Sequence, residues 1–286
     1  MQKRHEVLKR QVLMTGLAFG ESPRWRGGRL WFSNWGASEI VAMDPDGKSE
    51  VMVRLPFETF PFSIDWLPDG RLLIASASDQ PLLRQEPDGS LVPHADLKRS
   101  FNEIVVDSRG NAYVNGAGFN PLAGEAPAPG SVMLVTSDGR SRQVAEGIAF
   151  PNGMAISPDH STLVVADSYG RQLVAFTIEA DARLSNRRAW AELGEGTPDG
   201  ICFDAEGAVW YADVPHKRCV RVREGGKVLQ TVDLDRGCFA CMLGGKDGKT
   251  LYIMAAEWPG MDKMVGAPRT GQVVAVEVSV PHAGRP

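Results

Sequence analysis

Long apolar runs and an excess of positive charge are both missing from this sequence of 286 residues. No stretch approaches the roughly 18 apolar residues that a membrane-spanning helix needs. Lys and Arg number 31 against 35 Asp and Glu, so the formal net charge is −4, whereas a surface that binds nucleic acid or an anionic membrane needs a basic patch. We therefore expect neither a nucleic acid nor a membrane as a partner.

Cysteine is also scarce, and the pattern of a serine hydrolase is absent. Of the four cysteines, only Cys238 and Cys241 are spaced as CxxC. In a strand, residues i and i+3 point to opposite faces, so this pair would chelate a metal poorly unless the backbone bends. Buried thiols are the favoured interpretation, with a zinc or redox site as the alternative. No nucleophile elbow accompanies a Ser, His and Asp set.

The N-terminal segment lacks the features of a secretion signal. Basic residues precede the apolar run at 12–19, but Thr15 and Gly16 interrupt that run and no convincing small-residue cleavage site follows. An ordinary strand is the favoured interpretation, and the few cysteines agree with a reducing compartment. We therefore expect a cytoplasmic protein.

A repeated strand-turn-strand unit runs through the chain. Each copy has an apolar strand, a turn and a second apolar strand, followed by two more strand-like runs. The copies begin at intervals of 39 to 50 residues, at Ser22, Pro61, Phe101, Pro151, Pro198 and Cys238. Four strands per repeat of this length are typical of a β-propeller blade, and helical periodicity is almost absent.

The repeats predict an all-β fold, a six-bladed β-propeller with four-stranded antiparallel blades, formed by residues 1–286 as a single domain. Closure of such a ring usually takes a strand from the far end of the chain. Here we expect residues 9–14 to pair with residues 271–278 in the last blade, which hides an open sheet edge. The Gly-, Pro- and Ala-rich stretch 116–130 is expected to be a loop on one face, either a substrate lid or a plain connector.

Oxygen-bearing side chains precede the first strand in four of the six repeats. Aligned on their turns, the repeats carry Glu21, Asn102, Asn152 and Asp199 at equivalent positions, with Phe62 and Ala240 in the other two. Because first strands surround the axis of a propeller, we expect the four to ring one mouth of it. Carboxylate and amide oxygens are hard ligands that suit calcium, magnesium or manganese. The sequence therefore predicts a site for one divalent metal ion, with solvated loop acids and Asx-turns as the alternative.

Four motifs resemble those of the gluconolactonase and senescence-marker-protein family of six-bladed propellers, which includes the luciferin-regenerating enzymes. They are GESPRW at 20–25, FNEIVVDSRGNAYV at 101–114, FPNGMAISPD at 150–159 and TPDGICFDAEGAVWYAD at 197–213. The resemblance implies that Glu21, Asn152 and Asp199 coordinate a divalent metal, with calcium first and zinc, manganese, magnesium or iron as alternatives. It implies that Asn102 contacts substrate or metal-bound water. It also implies hydrolysis of sugar lactones, or of other lactones and organophosphorus esters as in some relatives.

Two departures from the family pattern bear on the substrate. Glu103 and Ile104 follow Asn102 where the family usually has Asp and Gly, and Ser100 stands where sugar-lactone members commonly have Arg. Without that Arg, a hydrogen-bonding partner for sugar hydroxyls is missing, so a less polar lactone or ester is expected. Glu103 is a substrate-binding candidate beside Asn102, but successive residues of a strand point to opposite faces, which leaves its direction open.

The predicted function is metal-dependent hydrolysis of a lactone or related cyclic ester. The metal would polarise the carbonyl while Asp199 positions or deprotonates the attacking water, and a nucleophilic Asp199 is the alternative. A phosphotriesterase-like hydrolase and a non-catalytic propeller that binds a metal and a ligand are the competing functions. Trp35 and Trp258 follow strands, so either could reach a ligand. The expected partner is a small-molecule lactone or ester substrate. We expect the protein to be a monomer or a weak homo-oligomer.

Overall fold

The computed structural model describes residues 9–77, 80–97, 101–260, 263–264 and 266–284. In the first half of the chain the strands are β1 (Arg10–Leu17), β2 (Gly20–Arg26), β3 (Arg29–Asn34), β4 (Glu39–Met43), β5 (Ser49–Arg54), β6 (Phe62–Trp66), β7 (Leu72–Ser76), β8 (Leu82–Gln85), β9 (Leu91–Ala95), β10 (Glu103–Val106), β11 (Ala112–Gly116), β12 (Gly130–Val135) and β13 (Ser141–Ile148). In the second half they are β14 (Pro151–Ile156), β15 (Thr162–Asp167), β16 (Gln172–Ile178), β17 (Leu184–Glu192), β18 (Pro198–Phe203), β19 (Val209–Asp213), β20 (Arg218–Val222), β21 (Val228–Asp233), β22 (Gly237–Gly244), β23 (Thr250–Ala256) and β24 (Gly271–Glu277).

These strands form six four-stranded antiparallel sheets, which confirms the predicted six-bladed β-propeller. Blades 1 to 5 are β2–β5, β6–β9, β10–β13, β14–β17 and β18–β21 in chain order. Blade 6 combines β22, β23 and β24 with β1, which pairs antiparallel with β24 from Arg10↔Val276 to Leu17↔Gly271. The first strands of successive blades contact one another and β22 contacts β2, so the six first strands form a closed ring.

Helix is almost absent from the described residues. Two 3-10 turns, Trp35–Ala37 and Pro121–Ala123, follow β3 and β11. No helix in the described ranges is long and apolar enough to cross a membrane. The second turn lies in the predicted loop 116–130, where Phe119 packs against Phe150 with ring centroids 5.8 Å apart, so this loop is fixed to blade 4.

Aspartates bind the backbone of the turn in two of the inner hairpins. Asp204 Oδ1 accepts hydrogen bonds from two backbone N–H groups of the β18–β19 turn, at 2.8 and 3.0 Å. Gly207, three residues after Asp204 in the same turn, has φ +73°, a conformation that glycine adopts at little cost. Asp107 binds the β10–β11 turn in the same way, at 2.8 and 2.9 Å. Local sequence therefore sets the hairpin that each repeat begins with.

The apolar core lies between blades, so each blade is buried against its neighbours. One buried cluster joins strands of blades 1, 5 and 6, and others join blades 2 with 3, 3 with 4, and 4 with 5. All four cysteines are free and buried in the first of these clusters, which is the favoured interpretation from the sequence. A register shift between Cys238 and Ala240 bends β22, and this bend brings Cys238 and Cys241 both within hydrogen-bonding reach of Cys219.

One end of the axis collects the starts of the first strands and the ends of the second strands. Within the inner hairpins Gly20 pairs with Asn34 and Pro198 with Asp213. Blades 2 and 4 repeat this pairing with Phe62↔Ser76 and Pro151↔Asp167. We call this end the front mouth. The first residues of all six first strands therefore lie at the front mouth.

Candidate metal and catalytic site

The four oxygen-bearing residues predicted from the repeats all lie at the front mouth. Glu21, Asn152 and Asp199 are each the second residue of a first strand, and Asn102 immediately precedes β10. Glu21 is buried, with 5% of its surface exposed, whereas the other three keep part of their surface open to solvent. The structure thus offers one buried carboxylate and three accessible polar groups at the same end of the axis.

Irregular pairing follows three of these residues. The register between first and second strand shifts between Glu21 and Arg24 in blade 1. Equivalent shifts follow Pro151 in blade 4 and Pro198 in blade 5. Such bulges bend a strand and redirect its side chains. A similar shift occurs in β22, which carries no oxygen ligand at this position. The bulge is therefore a feature of the blades themselves and does not depend on the polar side chains.

Hydrogen bonds connect the amides and Asp199 to one another. Asn102 Nδ2 donates to Asn152 Oδ1 at 2.9 Å, and the Asn152 side chain also bonds Asp199. Ser168, at the end of blade 4's second strand, accepts from Asn152 Nδ2 at 3.3 Å and donates to the Pro198 carbonyl at 2.6 Å. The three predicted residues of blades 3, 4 and 5 therefore form one network, in contact across the mouth.

A second network lies around Glu21 and was not predicted from the sequence. The backbone N–H of Ser22 donates to Glu21 Oε2 at 2.9 Å, and Ser22 Oγ donates to Glu103 Oε1 at 3.2 Å. Arg24 Nη2 binds the same Glu103 oxygen at 2.9 Å and the Ile104 carbonyl at 2.6 Å. These contacts link blade 1 to blade 3 across a sequence separation of about 80 residues, which no local pattern could reveal.

Ser22 joins these groups through an uncommon backbone conformation. Its φ is +48°, a value that residues other than glycine seldom adopt. Its hydroxyl also accepts the backbone N–H of Ile64 from blade 2, at 3.1 Å. Ser22 therefore touches three successive blades while its N–H orients the carboxylate of Glu21.

Burial raises the pKa of three carboxyl groups at this mouth, those of Glu21, Glu103 and Asp199. The pKa of Glu21 lies well above its ordinary value because of burial, then repulsion by Asp199. The pKa of Asp199 is likewise raised well above its ordinary value, by burial and then by repulsion from Glu103, with the Asn152 hydrogen bond opposing both. Burial raises the pKa of Glu103 too, against the attraction of Arg24. Asp199 keeps some exposed surface, but the protein around its carboxyl group still displaces enough water to penalise the charge.

The charges of the group formed by Glu21, Glu103, Asp199 and Arg24 do not balance without a cation. When ionised, Glu21, Glu103 and Asp199 carry three negative charges, and Arg24 supplies one positive charge through its ion pair with Glu103. Neither Glu21 nor Asp199 forms an ion pair within the described residues. A surplus of two negative charges, one of them buried, is unfavourable unless the groups take up protons or a divalent cation.

The donor set fits a hard divalent cation that takes amide oxygens as well as carboxylates. Among the described residues no three His, Cys, Asp or Glu side chains are grouped to hold a metal ion. A cation would therefore depend on Glu21, Asp199 and the amide oxygen of Asn152. That amide oxygen accepts one hydrogen bond, from Asn102, so its second lone pair is free for a cation.

We predict that pH and calcium act against each other on the stability of this protein. Carboxyl groups with raised pKa hold protons in the folded state that the unfolded chain releases. The metal-free protein should therefore lose stability as the pH rises above about 4.5. Calcium replaces the protons, so the gain in melting temperature on adding calcium should be larger at pH 8 than at pH 5. At a calcium concentration 100 times Kd, the gain in the free energy of unfolding should be about 2.7 kcal/mol.

Thermal unfolding with and without calcium at several pH values checks this prediction. A Glu21→Gln/Asp199→Asn double variant keeps the shape of both side chains and removes both charges. Its melting temperature should respond weakly to calcium at every pH. An equal calcium response in the wild-type protein at pH 5 and pH 8 would contradict the proposed charge balance.

Glu103 was predicted to bind substrate, but its side chain is buried among protein groups. It is 7% exposed, and its Oε1 accepts hydrogen bonds from Arg24, Ser22 and the backbone N–H of Ile104. Ser100, whose identity bore on the substrate, lies outside the described residues. Arg24, Ser22 and Ser168 were missed at the sequence level. The one feature of the sequence that could have pointed to Ser22 and Arg24 is that they lie one and three residues after Glu21 in β2.

Comparison with known proteins identifies the family of this chain. Residues 19–257 match the family model described as the SMP-30/Gluconolactonase/LRE-like region. The chain is 27% identical to the 6-deoxy-6-sulfogluconolactonase of Pseudomonas putida, over 99% of this chain and 98% of that protein. It is 30% identical to Xenopus laevis regucalcin, over 85% of each chain.

The fold matches that of a solved structure that is also named regucalcin. Regucalcin of Agrobacterium tumefaciens, described as a calcium-binding protein, superposes with a TM-score of 0.80 at 23% identity, over 98% of this chain and 97% of the other. That similarity shows a shared fold. With a family model that matches most of its length, this chain belongs to the SMP-30/gluconolactonase/LRE-like family.

Proposed function

We propose that this protein is a divalent-metal-dependent hydrolase that opens the ring of a lactone or related cyclic ester. The observation that carries the proposal is the surplus of two negative charges among Glu21, Glu103, Asp199 and Arg24 at the front mouth. Membership of the family and the sulfogluconolactonase relative support a lactone as the substrate class.

Glu21, Asn152 and Asp199 are the residues we propose as the metal ligands. All three present oxygen, which favours calcium over thiol- or imidazole-seeking metals. A structural relative described as calcium-binding agrees with that choice. Zinc, manganese, magnesium and iron remain the alternatives that a metal titration would compare.

The proposed chemistry is the addition of water to the lactone carbonyl. A bound divalent cation supplies Lewis-acid polarisation of that carbonyl. Asp199, which is partly exposed at the mouth, takes a proton from the attacking water as a general base. The ring C–O bond then breaks, and the departing alkoxide takes the proton that Asp199 removed from water, which gives a hydroxy acid and restores the carboxylate.

Asn102 and Glu103 take different parts in this proposal. Asn102 is partly exposed and its amide already fixes Asn152, so it can orient the substrate or the water at the same time. Glu103 is buried and its Oε1 is occupied by three donors. We propose that it affects the substrate through Ser22 and Glu21 and makes no direct contact.

A chelator assay tests the function. Protein treated with EDTA should show no hydrolysis of a lactone panel, and added calcium or manganese should restore it, because Asp199 alone lacks the Lewis acid. Phosphotriesters in the same panel test the competing hydrolase. Full lactonase activity in chelator-treated protein would contradict metal dependence. If metal raises the melting temperature but no ester in the panel is hydrolysed, the protein is a non-catalytic binding propeller.

A further inference from the structure

The polar groups occupy only part of the front mouth. Blades 1, 3, 4 and 5 contribute Glu21, Asn102, Asn152 and Asp199, whereas blades 2 and 6 carry Phe62 and Ala240 at the equivalent positions. Both are buried apolar residues. The arc of the mouth from blade 6 through blade 1 to blade 2 therefore differs in chemistry from the arc that holds the amides.

Five aromatic residues cover this arc, and we call them the aromatic wall: Phe19, Trp35, Phe60, Phe239 and Trp258. Phe19 lies at the centre, with ring centroids 5.4 Å from Trp35, 6.0 Å from Phe60 and 4.3 Å from Phe239. Trp35 and Phe60 are 5.0 Å apart, and Trp258 lies 5.6 Å from Phe239. The rings form one connected apolar cluster, in which Phe19, Trp35 and Phe239 are buried and support the rings nearer the solvent.

The wall adjoins the proposed metal ligands. Phe19 lies two residues before Glu21, and Phe60 lies two residues before β6. Trp35 and Trp258 follow the second strands of blades 1 and 6, whose ends lie at the front mouth. The only polar atom of the Trp35 ring, its N–H, donates to the Phe62 carbonyl at 2.5 Å, so that indole offers no donor to a ligand.

Trp258 is the part of the wall that reaches solvent. Its side chain is 36% exposed, although it packs against Phe239. The other large aromatic residue exposed within the described ranges is Tyr169, at 51%, which stacks on Phe150 across the mouth in blade 4. An exposed aromatic face beside a reactive centre is a typical contact for an apolar ligand group.

We infer that the lactone opened at this site carries an apolar alkyl or aryl substituent, which packs against the aromatic wall with Trp258 as its principal contact. The inference rests on the proposed function and names the substrate class within it. A polyol substituent would bring hydroxyl groups against rings that cannot hydrogen-bond them, which is costly. An alkyl chain gains free energy with each methylene it buries there.

Five-membered lactones with a methyl, propyl or pentyl group at the ring carbon beside oxygen test this inference. In the calcium-loaded wild-type protein, kcat/KM should rise about fourfold for each methylene that the wall covers. Trp258→Ala should abolish that rise. Tyr169→Ala removes an aromatic residue at the same mouth outside the wall, and it should keep the rise. Similar melting temperatures of both variants show that each is folded.

Cyclopentanones with the same three substituents provide a readout without turnover. Their affinity, measured by calorimetry, should rise with chain length in the wild-type protein and in Tyr169→Ala, and stay flat in Trp258→Ala. If cyclopentanones bind with this dependence but no lactone is opened, the hydrolase proposal fails and the ligand class stands. If lactones are opened with no dependence on chain length, or with equal dependence in Trp258→Ala, the hydrolase stands and this inference is wrong.

Discussion

The Asp199→Ala variant is expected to open lactones about 10³-fold more slowly than the wild-type protein, as loss of a general base alone costs 10² to 10⁴. Asp199 is the one carboxylate of the site that is both proposed as a metal ligand and partly exposed to a substrate. Its removal takes away the proposed base and a proposed metal ligand together. Initial rates at saturating calcium, compared with the wild-type protein, measure the effect.

Asp233→Ala is the matched control for this variant. Asp233 ends the outer strand of the same blade and is exposed, so its loss changes the net charge equally while leaving the front mouth intact. We expect activity within about twofold of the wild-type protein. If Asp199→Ala keeps more than a tenth of wild-type activity at saturating calcium, Asp199 is not the base.

Arg24→Met is expected to lower the free energy of unfolding by about 3–5 kcal/mol, the usual cost of leaving a buried charge without its partner. The Arg24 and Glu103 side chains are 6% and 9% exposed, with 2.9 Å between Nη2 and Oε1. The variant leaves Glu103 beside Glu21 and Asp199 with no cation. Urea unfolding at pH 7 in the absence of calcium measures the change.

Two further variants separate the ion pair from simple packing. Arg24→Met/Glu103→Met replaces both charges with apolar groups and should recover most of the lost stability. Arg71→Met removes an exposed pairing with Asp69, 32% and 51% exposed, and should change stability by less than about 1 kcal/mol. If the double variant is as unstable as Arg24→Met, the ion pair does not explain the effect.

The sequence was sufficient for the fold because the fold is a repetition of local signals. Each inner hairpin has its own turn, as with Asp204 and its two backbone hydrogen bonds, and six such hairpins imply six blades. The positions of Glu21, Asn152 and Asp199 at one mouth follow from the same alignment. A residue at a fixed place in a repeat reaches a fixed place around the axis.

Contacts between residues of different blades could not be predicted from the sequence. The Arg24–Glu103 pair joins residues 79 apart, and the left-handed backbone of Ser22 depends on hydrogen bonds to blades 2 and 3. Glu103 illustrates the consequence. Its place beside Asn102 predicted contact with substrate, whereas two of its three donors, Ser22 and Arg24, come from a strand about 80 residues away.

The aromatic wall was only partly visible in the sequence. Trp35 and Trp258 could be singled out because they follow strands, but Phe19 and Phe239 belong to different blades and meet only when the ring closes between β22 and β2. Side chains that gather across this closure lie at opposite ends of the chain. Their contact is a property of the closed ring and of no single repeat.

Diffraction from crystals soaked in manganese tests the central claim most directly, because the anomalous signal locates the ion without reference to activity. We expect one strong peak at the front mouth, in contact with the carboxylates of Glu21 and Asp199 and the amide oxygen of Asn152, and no peak there in Glu21→Gln/Asp199→Asn. The absence of a peak at the front mouth in crystals of protein that hydrolyses lactones would contradict the account.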